Sequence, residues 1–556
     1  MEKRIFLAIV ISIGVLIGWS FLAPMIFPEL ARKPEPPKPA ATATTATDRP
    51  GDPAPEKLAA EAVEKAATVP QVITPAAAPV SAAHLQHVVV DMPDYIAVLS
   101  NRGAQIVSFK LKGYKQRGVD DLVDLVQVRD PRRTDYPFTI VPDKQHADLL
   151  RLNSALYSVK DVEDPKGGRL VEFRYSDGKV TATKTFRFTR QPYLFDFNVT
   201  VNPPVPYRIA IGPGIRTLTP EEVKLQAMTT GNAVAQAEGK FEVYQREKVP
   251  TFKILPSVEY IGVEDNYFLT ALRPREAREG SLQNVSFYAP QTKERRLDLY
   301  AALNATSSGV VAGDAFFGAK EAKILDAYGL EKALQLGMFD LIARYFLIAL
   351  LWINGWTLNW GFAIIVLTIL IKIALYPLQH KQNVSMKKMQ VVQPKVEAIK
   401  AKYKKARTDA EQRSRMNVEM MELYKKEGIN PMAGCLPLVI QLPILWGFYN
   451  LLSRAIELRG APWVLWIRDL SEKDPTYILP ILMTLTMFLQ TYLMPATGDP
   501  MQRRMFLIMP FIFGFMFKDF PSGLVLYWLV QNILTIIQQL IMNKWWKDHP
   551  AEVQNG

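Results

Sequence analysis

One lysine stands alone in a long apolar run, and it offers the clearest chemistry in the chain. The run Gly361–Leu378 has about the length that crosses a bilayer, roughly 20 residues, and its single charge is Lys372. Thr368 and Tyr376 lie four residues before and after it, so the three share one helix face. A charge inside a membrane helix costs about 3 kcal/mol on insertion scales and usually marks function. Lys372 could therefore attract an anion, or it could simply extend its ammonium to the nearby membrane surface.

A second apolar run carries polar side chains that could accompany this charge. Tyr527, Gln531, Thr535 and Gln538 recur on one helix face near the end of the chain, with Asn532 beside them. Two further runs contribute single polar groups: Gln441, Thr484, Thr486 and Gln490. For any one of these residues, an interhelical hydrogen bond worth about 0.6 kcal/mol is a sufficient explanation. Together with Lys372 and repeated prolines, the set predicts a polar groove within the membrane.

The charge of Lys372 has no acidic counterpart inside the apolar runs. Glu457 and Asp519 lie only at their edges. An unpaired cation needs water, which predicts a hydrated groove. The segment Phe362–Leu367, toward the outer end of the same helix, is wholly apolar, so we expect the groove to open only to the cytoplasm. This geometry suits a site that receives a polar segment from the cytoplasm before releasing it across the membrane.

No catalytic or metal-binding constellation emerges from the sequence. The single cysteine, Cys435, lies in an apolar run and excludes an intrachain disulfide, and the five histidines show no convincing ligand spacing. The residues therefore indicate neither a catalytic site nor a metal site. The net charge of +12 fits Lys and Arg collected in cytoplasmic loops and does not require a nucleic-acid partner.

The first half of the chain predicts an anchor, a tether and a large β domain. Residues 1–27 resemble an uncleaved membrane anchor, with a cleaved signal peptide as the alternative. Residues 28–86 are rich in Pro, Ala, Thr and Glu and predict a disordered linker. Residues 87–336 show strict alternation at Tyr193–Val201 and a turn signal at Ser176–Gly178, which indicate a β-sandwich domain. Its end, Ala315–Leu336, is helical in pattern.

The second half predicts a helical membrane core with a cytoplasmic hairpin. Arg and Lys distribution places residues 379–430 inside the cell. The successive segments are an interfacial amphipathic helix at 337–358, a span at 359–378, the helical hairpin at 379–430, spans at 431–455, 477–494, 505–519 and 523–543, an outer loop at 456–476, an inner loop at 495–504 and a basic tail at 544–556. With the anchor, this gives a polytopic α-helical membrane protein of six transmembrane helices, with both termini cytoplasmic and the β domain outside.

Four segments of this core resemble the YidC membrane protein insertase family. They are Tyr376–Leu378, Asn430–Cys435, Ile440–Ile444 and Phe520–Tyr527. The resemblance covers nearly the whole chain, including the large periplasmic domain of the Gram-negative type and a five-helix insertase core. It implies substrate contacts at Lys372 and at the pair Tyr527 and Trp528. The family usually carries arginine where this chain has Lys372, so the positive charge is kept but bidentate recognition is not.

The resemblance also implies the partners and the location. The substrates are nascent membrane proteins, inserted into the bacterial inner membrane alone or beside the Sec translocon. The ribosome and targeting factors bind at the hairpin, loops and tail. The resemblance also implies that the protein is not an enzyme, performs no covalent chemistry and uses no cofactor. Two other classes stay open from the residues. A transporter or channel requires an acidic partner within the membrane, and a periplasmic sugar- or lipid-binding protein would make the β domain primary.

Overall fold

The computed structural model describes most of the chain from residue 78 onward. The described residues are 78–127, 135–165, 167–219, 222, 230–289, 294–337, 339–403, 409–429, 436–493 and 500–548. They belong to one compact unit. The predicted anchor at 1–27, most of the linker at 28–86, the segment Asn430–Cys435 and the end of the tail lie outside them.

The β domain is built from antiparallel strands. In the described residues they are β1 (His87–Asp91), β2 (Tyr95–Ser100), β3 (Gln105–Lys115), β4 (Leu122–Asp124), β5 (Thr139–Pro142), β6 (Ser158–Asp164), β7 (Gly168–Ser176), β8 (Thr181–Phe188), β9 (Leu194–Asn202), β10 (Tyr207–Ile211), β11 (Thr230–Ala237), β12 (Lys240–Tyr244), β13 (Phe252–Asp265), β14 (Phe268–Pro274), β15 (Arg278–Ala289), β16 (Glu294–Asn304) and β17 (Val310–Ala319). Strands β1–β4 form one sheet in chain order. The others form a second sheet in the order β5-β10-β16-β15-β13-β14-β17-β9-β8-β7-β6; in addition, β11 pairs with β13, and β12 pairs with β11.

The two sheets are joined by aromatic side chains. Phe109 of β3 stacks on Tyr95 of β2 with ring centroids 4.5 Å apart, and it contacts Phe317 of β17 at 5.4 Å across the sheets. The predicted alternation in β9 is confirmed, since every second residue from Phe195 to Val201 is buried. The predicted turn at Ser176–Gly178 joins the paired strands β7 and β8. The sequence thus identified a large β-sheet domain correctly.

The helical interpretation of Ala315–Leu336 is wrong for its first part. Residues 315–319 finish β17, which pairs with β9 on one side and β14 on the other. Only a short helix, α1 (Ala322–Ala327), and a 3₁₀ turn at Glu331–Ala333 follow. Alanine and glycine in this stretch are buried between two neighbouring strands, and that tertiary pairing overrides the local helix propensity.

A lysine lies wholly inside the β domain. Lys184 of β8 has no exposed surface, and its Nζ donates hydrogen bonds to the carbonyl oxygens of Gly103, at 2.6 Å, and Phe138, at 2.7 Å. Burial lowers the pKa of Lys184 to about 7. A neutral amine has two N–H groups, which is enough for both bonds.

This lysine predicts a pH-dependent stability of the β domain. The unfolded chain binds a proton at Lys184 up to a pH near 10.5, whereas the folded chain releases it near 7, so the free energy of unfolding should rise with pH in that window, by up to about 1.4 kcal/mol per unit. Hydrogen exchange of β8 in the full chain, corrected for intrinsic exchange, should report this rise. Lys184→Met should remove the pH slope, and an equal slope in both proteins would contradict the assignment.

Helices make up the second half of the described chain. They are α2 (Asp340–Thr357), α3 (Trp360–Lys402), α4 (Ala410–Lys426), α5 (Leu436–Arg454), α6 (Ile478–Leu493), α7 (Pro500–Phe517) and α8 (Ser522–Asp548). Among the described helices, α3 and α8 are long and apolar enough to cross a membrane by length and composition. The six-helix count stays a prediction.

Three of these helices run beyond the predicted segments. Helix α3 continues from the apolar run through Pro377 and Pro394 into the hairpin, α7 begins at Pro500 within the predicted inner loop, and α8 extends through the start of the predicted tail. Hydropathy marks only the apolar part of a helix. The backbone stays helical into polar sequence where its residues allow it, and a proline removes only one backbone hydrogen bond.

The start of α3 is fixed from outside the helix. Asn359 caps it by accepting hydrogen bonds from the backbone N–H groups of Gly361, at 2.9 Å, and Phe362. Its amide also donates to the carbonyl oxygen of Trp463 at 3.1 Å. A Cβ at Gly361 would lie 2.0 Å from the Trp463 ring, so only glycine fits this contact. The loop 456–476 therefore sets the position of α3.

Helix α2, predicted to be amphipathic, is apolar on two faces. Ala343, Leu347, Leu350 and Ile353 are buried against the core. The opposite face is more than half exposed and consists of Leu341, Tyr345, Ile348, Trp352 and Trp356. Exposed apolar patches of this size mark contact with another surface, and a face ending in two tryptophans suits the membrane interface.

The predicted hairpin is formed by the end of α3 and by α4. Val392, Val396 and Ile429 make a small separate core. The apolar stripes expected from the sequence contribute to it through Met389, Met420, Leu423 and Tyr424. Exposed ion pairs, Lys395–Glu427 at 2.7 Å and Lys402–Glu419 at 2.9 Å, join the two arms.

Candidate functional site

Lys372 lies between α3 and α8, where the sequence placed the groove. Its side chain is 8% exposed, and Nζ donates a 2.8 Å hydrogen bond to Oγ1 of Thr535 on α8. The Thr535 hydroxyl in turn donates to the carbonyl oxygen of Gln531 at 2.7 Å. Two residues that sequence reasoning named separately are thus in direct contact.

The charge on Lys372 lacks a carboxylate partner in the described chain. Within the residues described, no Asp or Glu oxygen lies within 4.0 Å of its Nζ, and Thr535 accepts only one of three N–H groups. The acidic partner that a transporter requires is therefore not found among these residues. A buried cation with donors to spare is suited to attract an anionic or polar group that enters the groove.

Aromatic side chains pack at the Tyr527 end of this site. Tyr527 is 1% exposed and stacks on Phe448 of α5 with centroids 4.6 Å apart. Ile364 and Leu367 of α3 are also buried. Trp528 faces another neighbour, since its ring lies 4.9 Å from that of Phe517 on α7. Tyr527 and Trp528 are thus buried in helix contacts with α5 and α7.

The other predicted residues are divided between the groove and its surroundings. Thr368 is fully buried, and its hydroxyl donates to the carbonyl oxygen of Ile364 at 2.7 Å. Tyr376 is half exposed beside the ring of His380, so it leaves the face shared by Thr368 and Lys372. Gln441 and Gln490 are partly buried.

Asn532 joins α8 to α6. It is 3% exposed, and its Nδ2 donates to the carbonyl oxygen of Met483 at 3.2 Å and to Thr486 Oγ1 at 3.3 Å. Both of its acceptors are on α6, so this amide holds two helices together. Its contacts are those of a structural interhelical bond.

Sequence reasoning missed part of the polar surface. Gln382 on α3 and Gln539 on α8 are 4% and 8% exposed and lie further toward the C-terminal ends of their helices than Lys372 and Thr535. Asn383 and Gln539 line a small cavity between the two helices. Helical spacing could have identified Gln382, because it lies on the same face of α3 as Thr368, Lys372 and Met386. The polar composition after Leu378 instead led Gln382 and Met386 to be assigned to the hairpin alone.

Comparison with known proteins covers nearly the whole chain. Residues 87–349 match the model of the "YidC periplasmic domain", and residues 352–549 match that of the "60Kd inner membrane protein". Membrane protein insertases YidC from Geobacter metallireducens and Syntrophus aciditrophicus are each 35% identical, over 98% of this chain and 98% and 100% of theirs. A crystal structure of an active YidC insertase is 21% identical, with a TM-score of 0.38, and covers 84% of this chain and 94% of its own.

Proposed function

Because this chain belongs to the YidC family of membrane protein insertases, we propose that it moves the polar flank of its substrates through the groove around Lys372. Membership makes it an inner-membrane protein with a periplasmic domain, an insertase of nascent membrane proteins and not an enzyme. The observation that carries the groove proposal is the buried ammonium of Lys372, hydrogen-bonded to Thr535 and without a carboxylate in contact among the described residues.

In this proposal the substrate enters from the cytoplasm. The apolar segment Phe362–Leu367 and the stacked pair Tyr527 and Phe448 close the outer side. The polar flank enters beside Lys372, while the apolar part of the substrate moves into lipid along the exposed faces of the helices. The groove residues are Thr368, Lys372, Gln441, Gln490, Gln531 and Thr535, with Tyr376 at its margin and Tyr527, Trp528 and Asn532 in its walls.

The topology belongs to the same proposal. Both termini are cytoplasmic, six helices cross the membrane, and α2 lies in the outer interface with its exposed apolar face against lipid. The β domain lies on the periplasmic side. The protein acts alone or beside the Sec translocon, and its basic hairpin, inner loop and tail receive the ribosome and targeting factors, because they concentrate positive charge at the cytoplasmic surface.

Insertion by purified full-length protein tests this function. Proteoliposomes should protect the translocated flank of a small single-span substrate from external protease, and liposomes without the protein should not. Failure of the reconstituted chain to protect any such substrate would contradict the proposal.

The hairpin should be required for insertion, although its own helices should be only weakly stable. Its separate core is small and its ion pairs are exposed, so its amides should exchange faster than those of α8. Replacing residues 391–428 by a short Gly-Ser linker retains Met386 and Lys387, which contact α8. We expect insertion to fall at least severalfold while protection of α8 is unchanged. Normal insertion by this deletion would remove the docking role.

A further inference from the structure

Helices α3 and α8 carry buried amides beside Lys372 and on its cytoplasmic side. The two helices run in the same direction, because the residue numbers of their contacts rise together on both. The contacting pairs are Lys372 with Thr535, Asn383 with Met542, and Lys387 with the ring of Trp546. We call the following four residues the amide seam: Gln382, Gln531, Gln538 and Gln539. Each is at most 8% exposed.

Each of these amides has at least one atom without a hydrogen-bond partner among the described residues. The unpaired atoms include two donors, Nε2 of Gln382 and of Gln538. They also include three acceptors, Oε1 of Gln382, Gln531 and Gln539. Leaving a buried polar group unpaired is unfavourable, whereas apolar side chains of similar size are neutral or stabilising in such a place. Asn532, with both its contacts made, shows what a structural amide looks like on the same helix.

The unpaired donors and acceptors of the seam match the two polar groups of a peptide unit. A bound ion would need groups of one sign, whereas a peptide group presents one N–H and one C=O. The seam from Gln531 to Gln538 spans about 10 Å of helix, which corresponds to about three residues of extended chain. A main chain passing through a water-poor site must have its polar groups satisfied. The neutral side-chain amides of the seam can form these hydrogen bonds with the main chain of a substrate of any sequence.

We propose that the amide seam binds the main chain of the extended polar segment in transit, while Lys372 responds to its charge. This inference rests on the proposed function, because the segment is supplied by insertion. The seam adds a contact that does not depend on the substrate's side chains.

The test is the full-length Gln382→Leu/Gln538→Leu variant in proteoliposomes, with two substrates that differ only in having neutral or acidic translocated flanks. We expect insertion of both substrates to slow by the same factor, about tenfold, as for the loss of a few hydrogen bonds. The thermal midpoint of the variant should be unchanged or higher. Asn532→Leu is the matched control, and it should lower the midpoint because it breaks paired bonds.

Three results would overturn the inference. They are normal insertion by the double variant, a fall in insertion that accompanies a lower midpoint as in Asn532→Leu, and a fall confined to the acidic substrate. If the wild-type chain inserts neither substrate, the proposed function itself fails, and the seam fails with it. If the wild type inserts both and the variant does too, only the seam is excluded.

Discussion

Lys372→Glu should abolish insertion of substrates whose translocated flank is acidic, and Lys372→Ala should reduce it at least tenfold. Opposite charges 4 Å apart gain about 1 kcal/mol in bulk water and about 4 kcal/mol at an effective dielectric of 20. A groove between helices is closer to the second case, and each 1.4 kcal/mol changes a rate or equilibrium by about tenfold. Glutamate reverses the sign of the interaction, so its effect should exceed that of alanine.

The contact with Thr535 separates this expectation from simple anchoring. An anchor lysine would extend to the membrane surface, whereas the Lys372 ammonium is held 2.8 Å from a hydroxyl on a neighbouring helix. Lys372→Arg should keep most activity because the charge is retained. Lys381→Ala removes an exposed lysine from the same helix and should affect neutral and acidic substrates equally. Normal insertion by Lys372→Ala across neutral and acidic substrates would exclude the electrostatic role.

The placement of Lys372 could be predicted because its signal is local. A charge in an apolar run and a polar stripe on a second run each follow from helical periodicity, and the structure brings Lys372 and Thr535 together. Gln382 was missed because hydropathy assigned it to the hairpin, although α3 continues unbroken past Leu378. Tyr376 shares the spacing of Lys372, but it is exposed. Which arc of a helix faces its neighbours depends on tertiary packing, which spacing alone does not give.

In the β domain too, local patterns predicted some features, while others depend on tertiary packing. Alternation identified β9 because its buried and exposed residues differ in type. No local signal gives the order of strands in the large sheet, where β17 lies between β9 and β14. No local pattern in the sequence indicated that scattered charges of the β domain meet loop residues of the core, since the paired residues are up to 355 positions apart.

A buried charge network lies where the β domain meets the outer loop of the core. Arg216 contacts Glu222 through Nη1 at 2.7 Å and Asp265 through Nε at 2.5 Å, and all three side chains are at most 1% exposed. Arg459 of the core loop approaches the other oxygen of Glu222 at 3.2 Å. The ring of Phe268 lies 5.1 Å from one guanidinium and 5.4 Å from the other.

A second arginine, Arg117 in the β3–β4 connection, forms ion pairs at the same junction. Arg117 contacts Asp469 at 3.2 Å and Glu472 at 3.1 Å on the core loop. Burial alone would raise the pKa of Glu222, but the charge and hydrogen bond of Arg216 outweigh it, so the pKa of Glu222 lies below its ordinary value. Glu222 therefore depends on Arg216 to stay charged.

Arg216→Met should destabilise the junction by about 3–5 kcal/mol, because it leaves Glu222 and Asp265 buried without their main partner. Hydrogen exchange of β13 and β14 in the full-length protein should accelerate accordingly. Arg169→Met removes a partly exposed pair with Asp161 in the same domain and should cost at most about 1 kcal/mol. Neutralising the carboxylates as well, in Arg216→Met/Glu222→Gln/Asp265→Asn, should restore part of the loss. Only Arg216→Met leaves buried carboxylates that solvent cannot reach, so only this variant should speed the exchange of β13 and β14 strongly. Equal exchange rates of these strands in Arg216→Met and Arg169→Met would show that the network does not hold the β domain to the core.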